Sequence, residues 1–281
     1  MISVVIPARN AEDTLGIQIE AVLAQEVDAP IELIVVDSAS TDSTAALASS
    51  YPGVRVIGLD VPGANRARNA GIAASRGDLV LLCDADDVVL PGWAAALFEA
   101  SAEADYLGGT LAFTALNDAR CRVRWGLRTV SRRGDTLDPL PAPMSCNCGF
   151  RRSLWQAVGG FDERLLTGND DYEFFWRASH AGYSYQNVPE AVIEYRLRDR
   201  PSTILAREFK YGRADTKVQS ISRSYGRRPD PIAKVVRVWC WVVKEAVLGL
   251  VSRHHRWAAL RIGARRLGRL VESARSRIWF P

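Results

Sequence analysis

Cysteine and histidine are scarce, with five and three in 281 residues. An odd cysteine count in a chain of this length does not make a disulfide framework. Cys146 and Cys148 form a lone Cys-x-Cys with no second pair and no nearby histidine, which excludes a four-ligand zinc site. Reduced thiols in a cytosolic protein are expected. Long apolar runs are also missing: the most apolar C-terminal stretch, from Ile232, is interrupted by Lys234, Arg237, Lys244 and Glu245, too much charge for a membrane span. The opening Ile2-Ser3-Val4-Val5-Ile6 reads as a strand, with no charged leader, apolar run and cleavage site before it, so secretion is not expected. Acid is nearly absent from the C-terminal tail, where residues 226–281 hold 3 Asp/Glu against 13 Lys/Arg, leaving residues 1–225 at −6. Disorder is excluded by an ordinary composition, 48% hydrophobic and 24% charged, and the length allows a full core.

What the chain does have is a repeated strand-then-helix pattern. Ile2–Ile6 stops at Pro7, Ile31–Val36 ends on Asp37, Val54–Leu59 follows, and Asp78–Cys83 ends on Asp84-Ala85-Asp86-Asp87. Helical spacing over 14–25, 44–50 and 63–75 fills the intervals, so βαβ units and a mostly parallel sheet are expected, with the strand ends gathered on one edge. Such an edge is where open α/β sheets bind ligands. Asp84 and Asp86, two apart at a strand end, can turn toward one hard cation such as Mg2+ or Mn2+, whose shell substrate phosphates complete. An Asp-x-Asp-Asp run alone reads more readily as an acidic, solvated turn.

Further on, an alanine-rich helix follows Trp93, a strand is expected over 106–113, loops over 117–142 and a short helix over 153–158. Gly168-Asn169-Asp170-Asp171 precedes a helix over 172–181, whose dipole favours the two carboxylates. From Ile232 an amphipathic helix carries Val235, Val238, Trp239, Val242 and Val243. A second, over 256–277, places Leu260, Leu267 and Val271 on one side and Arg261, Arg265 and Arg269 on another.

Taken together, these stretches resemble the family 2 glycosyltransferases over about residues 1–200. The resemblance is carried by Ser3–Asn10, Glu32–Asp42, Ala67-Arg68-Asn69-Ala70-Gly71-Ile72, Cys83-Asp84-Ala85-Asp86-Asp87, Gly159-Gly160-Phe161-Asp162-Glu163 and Asp170–Arg177, in the family's order. It implies an α/β fold of the GT-A type: a Rossmann-like, mixed, mostly parallel sheet flanked by helices, here with a C-terminal amphipathic helical extension. The implied organisation is a catalytic domain over 1–225, with donor binding in 1–104 and the acceptor side in 105–225, followed by the basic extension 226–281. Carried over, Pro7, Ala8 and Arg9 would line the nucleoside pocket, Asp37 would hydrogen-bond the base, and Arg68 would belong to the donor site. Asp84 would lie near ribose and metal, Asp86 would ligate the metal, and Asp171, beside Asp170, would be the base of an inverting transfer. The implied cofactors are a divalent cation (Mn2+ or Mg2+) and a nucleotide-diphospho-sugar donor. The implied acceptor is a glycan, lipid-linked or small-molecule hydroxyl. Ser38 stands where many relatives have Asp, and Asp170 where they usually have Glu. Tyr195–Arg200 stands where some place a histidine near the metal, so that Arg196 or Arg198 can meet donor phosphates or an anionic acceptor instead.

Two other functions compete. A sugar-nucleotide pyrophosphorylase needs a glycine-rich basic loop after the first strand, and Ala8–Leu15 contains no glycine. A nucleic-acid-binding protein would use the arginine-rich tail, but the acidic residues 1–225 oppose it, and no nucleic acid is expected. The tail can contact a membrane surface through 232–281, pack on the core, or form a homodimer. A cytoplasmic location, or the inner face of the membrane, follows.

Overall fold

A computed structural model describes residues 1–125, 142–165, 168–223 and 232–278. They form two compact units. The first holds an eight-stranded sheet in the order β3-β2-β1-β4-β7-β6-β8-β5. Its strands are β1 (Ile2–Ala8), β2 (Ile31–Ser38), β3 (Val54–Leu59), β4 (Leu79–Cys83), β5 (Val88–Val89), β6 (Tyr106–Ala112), β7 (Asn147–Arg151) and β8 (Tyr185–Glu194). β1 lies parallel between β2 and β4, with Ala8 opposite Asp37 and Val5 opposite Leu82, so three chain segments leave the sheet at one edge. The far half is mixed: β7 runs antiparallel to β4 and β6, while β6 and β8 are parallel. The expected GT-A-type sheet is therefore present, with helices α1 (Leu15–Leu23), α2 (Thr44–Ser49), α3 (Ala64–Ala74), α4 (Trp93–Ala100), α6 (Arg152–Val158) and α7 (Asp170–His180) in the same unit.

The central strands are continuous apolar runs because both sheet faces are covered. Val5, Ile34, Val80 and Leu82 meet Tyr106, Phe150 and Phe174 in one buried cluster. Full burial of each such aliphatic side chain is worth about 1.5–3 kcal/mol. α3 is drawn tightly onto β1 and β2 at Gly71, where a Cβ would overlap the Val5 side chain and come within 2.9 Å of Val36.

The second unit contains α5 (Ala119–Trp125), α8 (Pro201–Arg223), α9 (Ile232–Leu248) and α10 (Arg253–Ser276). Here the structure departs from the sequence reading. A helix, α5, stands within the segment expected to be loops, whose residues 126–141 lie outside the described residues. The 23-residue α8 was not anticipated at all. Its Asp215 takes ion pairs from Arg265 at 2.7 Å and Arg269 at 2.6 Å, and its Gly212 backs directly onto the α10 backbone at Arg265. A helix that interleaves buried Glu208, Gly212 and Asp215 with Ile204 and Val218 shows only a broken apolar stripe.

Candidate active site

The site is built at the C-terminal edge of β1, β2 and β4. After β1 and β2 the chain turns through two left-handed, non-glycine residues, Asn10 (φ 48°) and Ala39 (φ 55°), conformations that persist only where surrounding bonds hold them. They are held by cross-bracing: Asn10 Oδ1 accepts from the Thr41 amide at 2.9 Å, the Asn10 amide donates to Ser40 Oγ at 2.9 Å, and the Ala11 amide donates to Thr44 Oγ1 at 2.8 Å. Beside this brace Asp37 is buried. One of its carboxylate oxygens accepts from the Ser40 amide at 3.4 Å and the other has no hydrogen-bond partner. A buried acceptor left unsatisfied is costly unless a ligand meets it. Ala8 is buried opposite Asp37, Pro7 is half-buried, and Arg9 is exposed.

The Asp84–Asp87 turn is fixed from beneath by Gln18, whose amide donates to the Asp84 carbonyl (3.1 Å) and accepts from the Val89 amide (3.0 Å). Its carboxylates separate. Asp84 is half-buried, Asp86 is exposed, and Asp87 is buried, accepting from the Arg196 amide at 2.8 Å. Arg196 Nε donates to the Asp86 carbonyl at 2.9 Å. Ligand atoms of Asp84, Asp87 and Cys146 lie within 4.8 Å of one another, a grouping in which Asp87 and Cys146 were not foreseen. Burial, reinforced by the Asp84 and Asp87 carboxylates, pushes the Cys146 thiol well above its ordinary range. The two carboxylates of this group would offer hard oxygen ligands of the kind that suit Mg2+ or Mn2+.

Arg68 joins this turn to α7. It is buried, donating to Asp170 at 2.6 Å, to Asp84 at 3.3 Å and to Asn65 at 3.1 Å. Burial alone would lower its pKa, but Asp170, Asp84 and Asp171 together raise it, so the guanidinium stays charged. Its neighbours on α3 clamp the Gly159–Leu165 segment: Asn65 donates to the Asp162 carbonyl at 2.8 Å and Asn69 to the Phe161 carbonyl at 2.8 Å. From the other side Arg177, paired with Glu173 at 2.7 Å, donates to the Gly160 carbonyl at 2.6 Å. The helix α7 is thereby fixed with Asp170 and Asp171 in its first turn.

Asp171 accepts from the Tyr172 amide at 2.9 Å and the Ser145 amide at 3.4 Å. Desolvation first, and then the adjacent Asp170 carboxylate, lift its pKa well above the ordinary carboxylate range; the two amides and Arg68 oppose the shift without cancelling it. Of the residues singled out in the sequence, Asp84 and Asp170 are thus both bonded to Arg68, with Asp171 next to Asp170, while Ala8 and Asp37 share a register position on the next two strands, β1 and β2.

The mixed sheet flanked by helices is of the GT-A type. Residues 3–159 match the Glycosyl transferase family 2 model, and the chain belongs to that family. It is 40% identical over 218 residues to the succinoglycan biosynthesis protein ExoO of Rhizobium meliloti, covering 70% of this chain and 61% of that one. It is 35% identical over 245 residues to an undecaprenyl-phosphate 4-deoxy-4-formamido-L-arabinose transferase of Pectobacterium carotovorum, covering 84% and 64%. The chain therefore spans less than two thirds of either relative. Among solved structures, the mannosyltransferase PcManGT of Pyrobaculum calidifontis, in complex with GDP-Man and Mn2+, superposes with a TM-score of 0.69 at 17% identity, over 96% of this chain and 86% of that one, a likeness of fold.

Proposed function

We propose that this chain is an inverting, metal-dependent glycosyltransferase that moves a hexosyl-type sugar from a nucleoside diphosphate to an acceptor hydroxyl. The observation that carries the reading is Arg68, one buried cation that ties a strand-end carboxylate, Asp84, to Asp170, the neighbour of Asp171 at the start of α7. Donor-side and base-side groups are thereby held in one place before any substrate arrives. Asp37, with its unsatisfied oxygen, receives the donor base, and Pro7, Ala8 and Arg9 line the nucleoside pocket. Asp84 and Asp86 offer oxygens to Mn2+ or Mg2+ in the family's DXD manner, and the buried Asp87 stands behind them. The cation, when bound, neutralises charge developing on the leaving diphosphate. Asp171 takes the proton of the acceptor hydroxyl as its oxygen bonds to C1 and the C1–O bond to the diphosphate breaks, which inverts C1. Burial, with Asp170 beside it, keeps the Asp171 pKa above the ordinary carboxylate range, which suits a base.

The names of the relatives, one in succinoglycan biosynthesis and one acting on undecaprenyl phosphate, support an acceptor that is a cell-envelope glycan or is lipid-linked. The reaction then takes place in the cytoplasm, at the inner face of the membrane, with peripheral contact through 232–281. The test is metal-dependent release of nucleoside diphosphate from a panel of sugar nucleotides, which Asp84→Ala and Asp171→Asn should each abolish. Release that survives Asp171→Asn contradicts the assignment of the base.

A further inference from the structure

On α10 three arginines point inward and three large aliphatic residues outward. Arg261, Arg265 and Arg269 are turned into the unit. Arg265 and Arg269 pair with Asp215, and Arg261 lies 3.6 Å from Glu208 with its guanidinium 4.5 Å from the Trp125 ring centre. The opposite face exposes Leu260, Leu267 and Val271, spaced to form one stripe. On α9, Val235, Val238 and Val242 are only partly exposed, whereas Ile232, Val236, Val243 and Val247 are exposed and fall on a second single stripe, with Trp241 38% exposed on another side of the helix. The turn between the helices ends the pattern with Leu250 79% and Val251 90% exposed. A water-facing helix normally has the reverse arrangement, and apolar surface of this extent marks an interaction site.

Charge identifies the occupant. Arg237 and Lys244 flank the α9 stripe, and Arg253 and Arg256 flank the turn, all exposed. The carboxylates among the described residues of 232–278 are Glu245 and Glu272. Both are buried, the first 2.7 Å from His255 and the second paired with Arg213 at 2.7 Å. The outer surface of the hairpin is therefore aliphatic and rimmed by cations. Two copies placed face to face would set cation against cation, with no exposed described carboxylate to answer them. An anionic lipid surface complements both features. Among the described residues no helix is long and apolar enough to cross a membrane.

We propose that the α9–α10 hairpin is an interfacial anchor that lies in the plane of an anionic bilayer, its aliphatic stripes and the Leu250-Val251 turn entering the acyl boundary. This deepens the transferase reading, which supplies its purpose, a membrane-borne acceptor. The test uses the full chain with sedimented vesicles of phosphatidylglycerol and phosphatidylethanolamine, against vesicles of phosphatidylcholine alone. Retention on the anionic vesicles is expected, weakened by high salt and by about tenfold or more in Val243→Glu/Val247→Glu. Leu250→Ser/Val251→Ser, which alters only the exposed turn, should weaken it in the same direction. Failure of the wild-type chain to bind anionic vesicles overturns the inference, as does retention that neither double variant reduces. A dimer broken by the same substitutions, without vesicle binding, assigns the face to a second copy and overturns it too. Donor-dependent thermal stabilisation, measured on each variant, shows that the catalytic unit is folded. Its presence without vesicle binding rejects the anchor alone, and vesicle binding without any donor response rejects the transferase reading alone.

Discussion

Asp171 has to be ionised before it can accept a proton, and its surroundings delay that ionisation. The rate with donor and acceptor should therefore rise with pH through the region near neutrality rather than near the ordinary carboxylate value. Asp170→Asn removes the adjacent like charge and should move that rising limb to lower pH. Asp171→Asn should cost about a hundredfold or more in kcat with little change in donor KM. The same shift links pH to stability. A carboxyl whose folded pKa lies above its unfolded value binds more protons in the folded state, so it favours folding in acid and takes stability away as pH rises through the folded value. Denaturant midpoints should accordingly show Asp171→Asn more stable than the wild-type chain at pH 8, with the difference vanishing at pH 4. Arg68 is the opposite case. Arg68→Met leaves Asp84 and Asp170 facing each other without their cation and should cost about 3–5 kcal/mol. Arg68→Lys should not restore it, because one ammonium cannot reproduce a guanidinium bonded to both carboxylates and Asn65. Sequence alone could list Asp84, Asp170 and Asp171 as carboxylates near helix or strand ends. It could not show that Arg68 joins them, since that contact spans 102 residues.

Among the elements, β1, β2 and β4 were legible because strands buried on both faces are nearly continuous apolar runs, and punctuation such as Pro7 and Asp37 marks their ends. The edge strand β3, partly exposed along its length, was legible from its Val54, Val56 and Ile57. α8 was not, because its buried face interleaves Glu208, Gly212, Asp215 and Thr216 with Ile204, Ala214 and Val218, which breaks the apolar period that a helix is read from. α5 was hidden for a related reason: its seven residues contain three arginines and only Cys121 is buried. The cluster at Asp215 makes its own prediction. Its arginine partners outweigh desolvation and hold the carboxyl below the usual value. Its stabilisation is present above the unfolded pKa of about 4 and is lost as pH falls through the lower folded value. Asp215→Asn should destabilise the helical unit by about 3–5 kcal/mol at neutral pH, read by hydrogen exchange of α8 and α10 amides, and should narrow the gap to the wild-type chain in acid. Unchanged exchange would mean that the two arginines find other partners.

For the molecule as a whole, the asymmetry of charge visible in the sequence takes physical form as an acidic strand-end site in one unit and a cationic, aliphatic hairpin surface in the other. The tail's amphipathic character was legible. Which face points outward was not, since a stripe of leucines at helical spacing is the same pattern whether it meets a core or a lipid. Burial had to decide it, through Leu260 and Leu267 exposed and Arg269 buried. We propose that the edge of β1, β2 and β4 receives a nucleotide sugar with a divalent cation. It is tested most directly by thermal stabilisation of the full chain with UDP-, GDP- and dTDP-sugars, with and without Mn2+, on the wild-type chain and on Asp37→Ala and Asp86→Ala. Stabilisation by one nucleotide class, dependent on Mn2+ in the wild-type chain and lost in both variants, is the predicted result. No response to any donor with metal present, or a response that both variants retain in full, would contradict it.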